Sequence, residues 1–294
     1  LLDPYDFNEI EQARFAKQNV QVSVFTNLDE FALQCDQFKP HYVVLNCESK
    51  PCSKLVRSLT HAELKGIKLI KMDQFMEAFL RKCFVNYKTE DLAYLQDVKA
   101  YSRFNYVLKR LVDFAMVLSL GLISLPVMLY AAWRIRKESP GEIFFKQKRI
   151  GVFGKEFVLY KFRSMHIDSH FDPYTQKNDE RIFSYGALMR KTRIDELPQL
   201  WNVLKGDMHM FGPRSEWSIL VENYEKDLPF YHERHLVAPG ISGWAQVKYP
   251  YGSCTEDARQ KLMYDLYYIK NWSIWLEIET LVRTVGVVMG KKGL

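Results

Sequence analysis

The stretch Arg190–Arg214, RKTRIDELPQLWNVLKGDMHMFGPR, concentrates residue types that could do chemistry. Asp195 and Glu196 are adjacent acids, preceded by Arg190, Lys191 and Arg193. Nearby positive charge favours the carboxylate form, so both acids are expected to stay ionised. A fixed carboxylate can ligate a hard cation such as Mg2+ or attack phosphorus as a nucleophile. Adjacent helical residues point about 100° apart, so the two acids need not share one role. Acids at a helix start also occur with no chemistry attached. Two further segments bear on the choice. Lys161 and Arg163 in LYKFRSM follow a predicted strand, Glu156–Tyr160, and Gly212-Pro213-Arg214 is a turn ending on a guanidinium. That group suits bidentate contact with phosphate.

The charge around these residues is uneven. The whole chain of 294 residues carries a net charge of +6. Residues 1–100 hold 13 Lys/Arg against 14 Asp/Glu, whereas residues 101–294 hold 28 against 21. From Arg134 to Arg163 the count is nine cations against three acids. Such a surface suits phosphate groups or anionic lipid. Nucleic acid would also fit the charge, but no motif or repeat for it is present. The five cysteines, Cys35, Cys47, Cys52, Cys83 and Cys254, form no C-x-x-C pair and are expected to be reduced cytosolic thiols. No signal peptide opens the sequence, and the missing initiator Met leaves room for residues upstream.

The element just before the cationic run is apolar. Phe114–Trp133 is twenty residues without a charge, long enough to cross a membrane. Lys109 and Arg110 flank one end; Arg134, Arg136 and Lys137 flank the other. Lys and Arg prefer the cytoplasmic side, so a simple span would misplace one cluster. Pro126 removes a backbone donor inside the run, and Ser124 can bond a carbonyl freed by the break. A re-entrant helix hairpin turning at Ser124–Pro126 satisfies both observations. A true span and a buried soluble helix are the alternatives. Asn271–Lys292, with two Trp and a thin polar stripe, reads as a helix lying in the membrane interface or packed in a protein core.

The first hundred residues differ in pattern. Val20–Phe25, Tyr42–Asn46 and Ile67–Ile70 read as short strands, separated by helical spacing at Leu28–Phe38 and Ser53–Lys65. Glu9–Lys17 and Met72–Leu80 add a helix at each end. The alternation predicts a small parallel sheet with helices on its faces, a Rossmann-like fragment. No G-x-G-x-x-G follows a strand, so a structural or regulatory role is expected. The predicted organisation is therefore an α/β module over 1–100, a re-entrant helix with its flanks over 101–138, and a mostly helical α+β catalytic domain over 139–294.

Taken in order, these blocks resemble a known family, the monotopic polyprenol-phosphate phosphoglycosyl transferases or bacterial sugar transferases. The resemblance runs from about Tyr106 to Gly293. It rests on KRLVDF (Lys109–Phe114), the interrupted apolar helix, FFKQKRIG (Phe144–Gly151), YKFRSM (Tyr160–Met165), RKTRIDELPQLWNVLKGDM (Arg190–Met208), GPR (Gly212–Arg214), PGISGWAQV (Pro239–Val247) and YDLYYIKNWS (Tyr264–Ser273). Two details depart from the family pattern. Leu125 separates Ser124 from Pro126, and Ser215 stands where a second Pro usually follows Gly-Pro-Arg.

The resemblance implies a two-step, Mg2+-dependent transfer of a sugar 1-phosphate from a UDP-sugar to polyprenol (undecaprenyl) phosphate. Asp195 aligns with the nucleophile and Glu196 with the second acid, both also implied as metal ligands. Lys161, Arg163, Arg190 and Arg214 align with the phosphate site, and Asp265 with a nucleotide contact. It further implies membrane lipid as a partner and the cytoplasmic face of the bacterial inner membrane as the location; separately from the resemblance, the N-terminal module is a candidate homodimer contact. The competing reading is an inert membrane-anchored binding or scaffolding protein of the same fold, against which the intact acid pair counts.

Overall fold

The computed structural model describes residues 5–25, 27–46, 52–85, 97–167, 179–250, 252 and 254–290. The chain divides into two compact units, Leu1–Thr89 and Glu90–Leu294. The expected boundary at residue 100 thus lies inside the second unit.

In the first unit, Asn8 caps helix α1 (Glu9–Lys17) through a reciprocal box with Glu11. Helix α2 (Leu28–Phe38) leads to strand β1 (Tyr42–Leu45), helix α3 (Ser53–Leu64) and strand β2 (Lys68–Lys71). The strands pair in parallel, Tyr42 opposite Lys68, as a helical crossover requires. Phe31, Val43, Leu55, Leu59 and Ile67 form the core between helices and strands. Helix α4 (Met72–Phe75) continues as a π-helical turn, Met76–Leu80, and packs with Phe15. The third expected strand, Val20–Phe25, pairs with nothing among the described residues. Its β-branched side chains Val22 and Val24 face solvent, so the alternating pattern is present without a partner strand.

The second unit is mostly helical. Its first helix, α5 (Arg103–Glu138), has 36 residues. Among the described residues it is the one helix long and apolar enough to cross a membrane. The helix runs unbroken through Pro126, and the Ser124 hydroxyl donates to the Gly121 carbonyl at 3.4 Å. The expected turn at Ser124–Pro126 is therefore not expressed as a loop. The middle of α5 is exposed, including Leu118, Leu122, Ile123 and Leu129.

Both ends of α5 are fastened to the same unit. Near the start, Lys109 is fully buried and its ammonium reaches Glu277 Oε1 at 2.7 Å and the Tyr268 hydroxyl at 3.2 Å. Tyr268 and Trp272 also donate to that Glu277 oxygen. Asp113 accepts from the Met210 backbone and pairs with His209 at 2.6 Å. Near the end, Ala131 and Ile135 pack against Phe162, Phe183, Tyr185 and Met189.

After α5, strands β3 (Phe144–Ile150) and β4 (Glu156–Phe162) form an antiparallel hairpin. Helices α6 (Ser184–Thr192) and α7 (Gln199–Lys205) follow. Strand β5 (His209–Phe211), helix α8 (Ser218–Asp227), strand β6 (Gly240–Ser242) and helix α9 (Trp244–Lys248) come next, with β5 and β6 parallel. Helices α10 (Thr255–Lys270) and α11 (Ile274–Met289) complete the unit. Helix α11 is turned inside out. Glu277 and Thr280 are buried and Thr284 bonds Ser242, while Trp275, Ile278, Val282, Val285 and Met289 are exposed.

Candidate active site

Asp195 and Glu196 lie on a single 3-10 turn, Ile194–Glu196, between α6 and α7. Arg193 ends α6 in the left-handed region, φ +59°. That conformation is unfavourable for a side-chain-bearing residue. It reverses the chain so that the two acids point inward, where only 9% and 8% of their surface stays exposed. Gly186 lets α6 sit this close. A Cβ there would lie 2.2 Å from the Ser164 carbonyl oxygen, inside any allowed contact.

The cations divide unequally between the acids. Lys161, on β4, places its ammonium 3.2 Å from Glu196 Oε1. Arg193 and Arg214 reach the same oxygen at 3.5 and 3.9 Å. Burial opposes the charge on Glu196, yet Lys161, Arg214 and Arg193 outweigh it and hold the carboxyl down at about 2. Asp195 is different. Its Oδ1 is buried and has no hydrogen-bond partner. Burial pushes its carboxyl up to about 6, and the Glu196 charge adds to the rise; Lys161, Arg190 and Arg193 offset only part of it. Both acids are therefore ionised at neutral pH, as expected, but the surrounding cations lower the carboxyl of Glu196 alone. At neutral pH Asp195 is still mostly a carboxylate, but a poorly solvated one.

Arg214 follows Gly212 and Pro213 at the end of β5. Gly212 and Gly240 meet back to back, since a Cβ on Gly240 would fall 2.1 Å from the Gly212 nitrogen. This contact brings β5 against β6 and presents the Gly-Pro-Arg turn to the acids. Behind it, the buried Arg234 donates to the Arg214 carbonyl at 3.0 Å and to Asp265 at 2.8 Å. Arg190 donates to Ser164 Oγ at 2.9 Å while its charge bears on Asp195.

The structure therefore brings together Asp195, Glu196, Lys161, Arg190 and Arg214. It does not bring in two others. Arg163 is buried and spends its guanidinium on Ser139 Oγ at 2.6 Å, the Glu142 carbonyl at 2.6 Å and the Ser139 carbonyl. It ties down the loop after α5 rather than facing the acids. Asp265 is 1% exposed and paired with Arg234, so it neutralises a buried guanidinium instead of lining a nucleotide surface. One residue was missed. Arg149, on β3, lines a small cleft with Lys161 and Arg214. Its position in FFKQKRIG, among many cations, gave no sign of this.

The sequence profile described as bacterial sugar transferase matches residues 104–291. The chain belongs to the bacterial sugar transferase family. Among its relatives is the UDP-N-acetylgalactosamine-undecaprenyl-phosphate N-acetylgalactosaminephosphotransferase of Aeromonas hydrophila, 45% identical over 60% of this chain and 42% of the relative. The UDP-glucose:undecaprenyl-phosphate glucose-1-phosphate transferase of Xanthomonas campestris is 44% identical over 57% of this chain and 36% of the relative. The exopolysaccharide production protein PSS of Rhizobium leguminosarum is 41% identical over 61% of this chain and 94% of its own length. The chain thus spans about two fifths of the first two relatives. The matched region in this family member contains every residue of the acid and cation cluster.

An ionisation near 6 sets the expected pH response. A carboxylate loses its nucleophilicity on protonation, so a transfer that used Asp195 in that role should accelerate with pH through about 6 and then level off, read as UMP release. A single-turnover assay on a UDP-sugar without lipid acceptor isolates this limb from titration of the acceptor phosphate. A flat profile from pH 5 to 8 would contradict the assignment.

Proposed function

We propose that the second unit transfers a sugar 1-phosphate from a UDP-sugar to polyprenol phosphate, releasing UMP, as the first membrane step of a bacterial surface glycan. The observation that carries this reading is Asp195 Oδ1, buried and unpartnered within a cradle of fixed cations. An anionic donor and a carboxylate nucleophile account for both halves of that observation. The names of the relatives specify the same donor and acceptor classes.

In the first step an Asp195 oxygen forms a bond to the sugar-bearing phosphorus. The bond from that phosphorus to the UMP oxygen breaks, and its electron pair leaves with UMP. In the second step an oxygen of polyprenol phosphate bonds to the same phosphorus, and the aspartyl oxygen departs as carboxylate. Lys161, Arg190 and Arg214 hold and neutralise the phosphates throughout, which is most of what phosphoryl transfer asks of a protein. Glu196 fixes Lys161, Arg193 and Arg214 around the site.

A divalent cation fits the donor set. Asp195 offers a buried oxygen without a partner, and Glu196 is adjacent. No group of three or more His, Cys, Asp or Glu among the described residues could hold an ion unaided. Mg2+ characteristically takes one or two carboxylates together with substrate phosphates. Asp195 and Glu196 would hold it with the donor, where it would neutralise charge on the diphosphate. Screening UDP-sugars for UMP release in the presence of polyprenol phosphate tests the whole reading. Turnover with one of them is expected, and it should stop in excess EDTA. Undiminished turnover in EDTA would remove the metal from the account.

Helix α5 is assigned as a re-entrant element at the cytoplasmic face of the inner membrane. Both ends of the helix dock onto the same unit through Lys109 and Asp113 at one end and Ala131 and Ile135 at the other, and Pro126 supplies a site where it can bend. Both flanks are basic. The outward apolar face of α11 suits the interface beside it. Single cysteines at Ser102 and Lys137, on a background with the native cysteines replaced, should both label from the cytoplasmic side. Labelling from opposite sides would restore a span. The parallel β1–α3–β2 arrangement supports a Rossmann-like structural module for the first unit, with no part in the chemistry.

A further inference from the structure

The geometry points to the cleft between Arg149, Lys161 and Arg214 as a phosphate-exchange site. It holds the departing nucleotide phosphate and then, in the same place, the phosphate of the lipid acceptor, with Arg149 as a direct contact. This inference rests on the two-step reading above.

Arg149 stands on β3 opposite Phe157, and its backbone bridges Trp217 just beyond the Gly-Pro-Arg turn. Its Nη1 donates to the Ser215 carbonyl at 3.2 Å and its Nη2 to Gln147 Oε1 at 2.6 Å. Those bonds fix the plane of the guanidinium. Its Nε is buried and has no hydrogen-bond partner. Ser215, Gly240 and Ile241 complete the cleft beside the three cations. Glu196 is the carboxylate paired with two of them, Lys161 and Arg214. Burial and the neighbouring Arg214 charge push the Arg149 guanidinium down to about 10, and burial with Arg214 and Arg149 opposes the charge on Lys161. Crowded, partly desolvated cations of this kind are relieved by an anion.

Stereochemistry requires the cleft to serve twice. In-line displacement puts the entering and leaving oxygens on opposite sides of phosphorus. With Asp195 entering from one side, UMP leaves on the other. In the second step the aspartyl oxygen leaves, so the acceptor phosphate must enter from the side that UMP has vacated. The cleft that receives UMP therefore receives two phosphates in turn. Arg149 takes up charge as the bond to UMP breaks and orients the acceptor oxygen as the new bond forms.

The test uses the full chain in lipid nanodiscs and two constants that do not depend on how much protein is active. These are the UMP inhibition constant and the KM for polyprenol phosphate. In wild type, UMP should compete with polyprenol phosphate. In Arg149→Gln both constants should rise together, by roughly tenfold, the range of one lost charge-assisted hydrogen bond. Arg149→Lys, which keeps the charge and loses the fork, should recover part of both. If Arg149→Gln is too weak to assay, Arg149→Lys against wild type carries the same comparison, with both constants raised. An unchanged UMP constant overturns the contact. A rise in one constant alone overturns the shared site. Failure of the wild type to gain a sugar-phosphate adduct from the UDP-sugar would instead strike the two-step reading itself.

Discussion

Asp195→Asn should abolish turnover while making the protein more stable. The amide keeps the size of the side chain but cannot act as the nucleophile, so UMP release should fall by about a thousandfold or more. The stability change follows from linkage. Burial raises the Asp195 carboxyl from 3.8 to about 6. The folded state therefore binds that proton more tightly than the unfolded chain. The fold is relatively favoured below the unfolded value and loses that advantage as pH rises through about 6. At neutral pH the ionised group costs on the order of 2 kcal/mol, which Asn does not incur. The melting temperature of the variant should rise at pH 7.5 and differ little from wild type at pH 4. Intact-protein mass spectrometry after rapid quench should show one sugar-phosphate adduct on wild type and none on the variant. Retained adduct formation in Asp195→Asn would reduce this residue to a metal ligand.

Lys161→Met should produce the second largest loss, on the order of a hundredfold to a thousandfold in UMP release, the range for removing one preorganised donor. Lys161 is the largest single source of positive charge acting on either acid. Without it both carboxyls rise. The acid limb of the pH profile should move to higher pH, so part of the lost rate should return as the assay is made more alkaline. A merely structural role for Lys161 predicts a lower rate with the limb unmoved. The variant is also expected to be less stable, because Glu196 keeps its burial and loses its nearest counter-charge.

The acids, Lys161 and Arg214 were legible because their spacing survives in one dimension. Each sits at the end of a short element or turn, and those ends converge. What did not survive was the direction in which a cation points. Arg163 lies two residues from Lys161 on the same side of the strand pattern. Only the fold reveals that its guanidinium is consumed by Ser139 and Glu142. Arg149 is the converse case, one of nine cations between Arg134 and Arg163 and indistinguishable from them in sequence. The unequal surroundings of the two acids were hidden for a related reason. A row of cations before two acids does not say which acid receives them: Arg193 pairs with Glu196, Arg190 bears on Asp195, and Glu196 draws Lys161 and Arg214 from elsewhere in the chain. Val20–Phe25 shows that alternation marks the capacity to pair, which needs a partner strand to be realised.

The buried contact between Lys109 and Glu277 joins residues 168 positions apart. On a ribosome adding roughly 5–20 residues per second, the carboxylate follows the ammonium by roughly 8–34 s. Throughout that interval Lys109 lacks the carboxylate it is later buried against, at the mouth of an apolar segment, whereas Arg110 has Asp113 within the same helix. Bare cations there are what the insertion machinery reads when it decides which end stays in the cytosol. On the proposed membrane assignment Lys109 would serve twice, as an address label for the nascent helix and later as the rivet that joins α5 to α10 and α11. Glu277→Gln should then separate them in time. Chain orientation, decided before residue 277 is made, should be unaffected, and the protein should fail only afterwards, when the finished helices close.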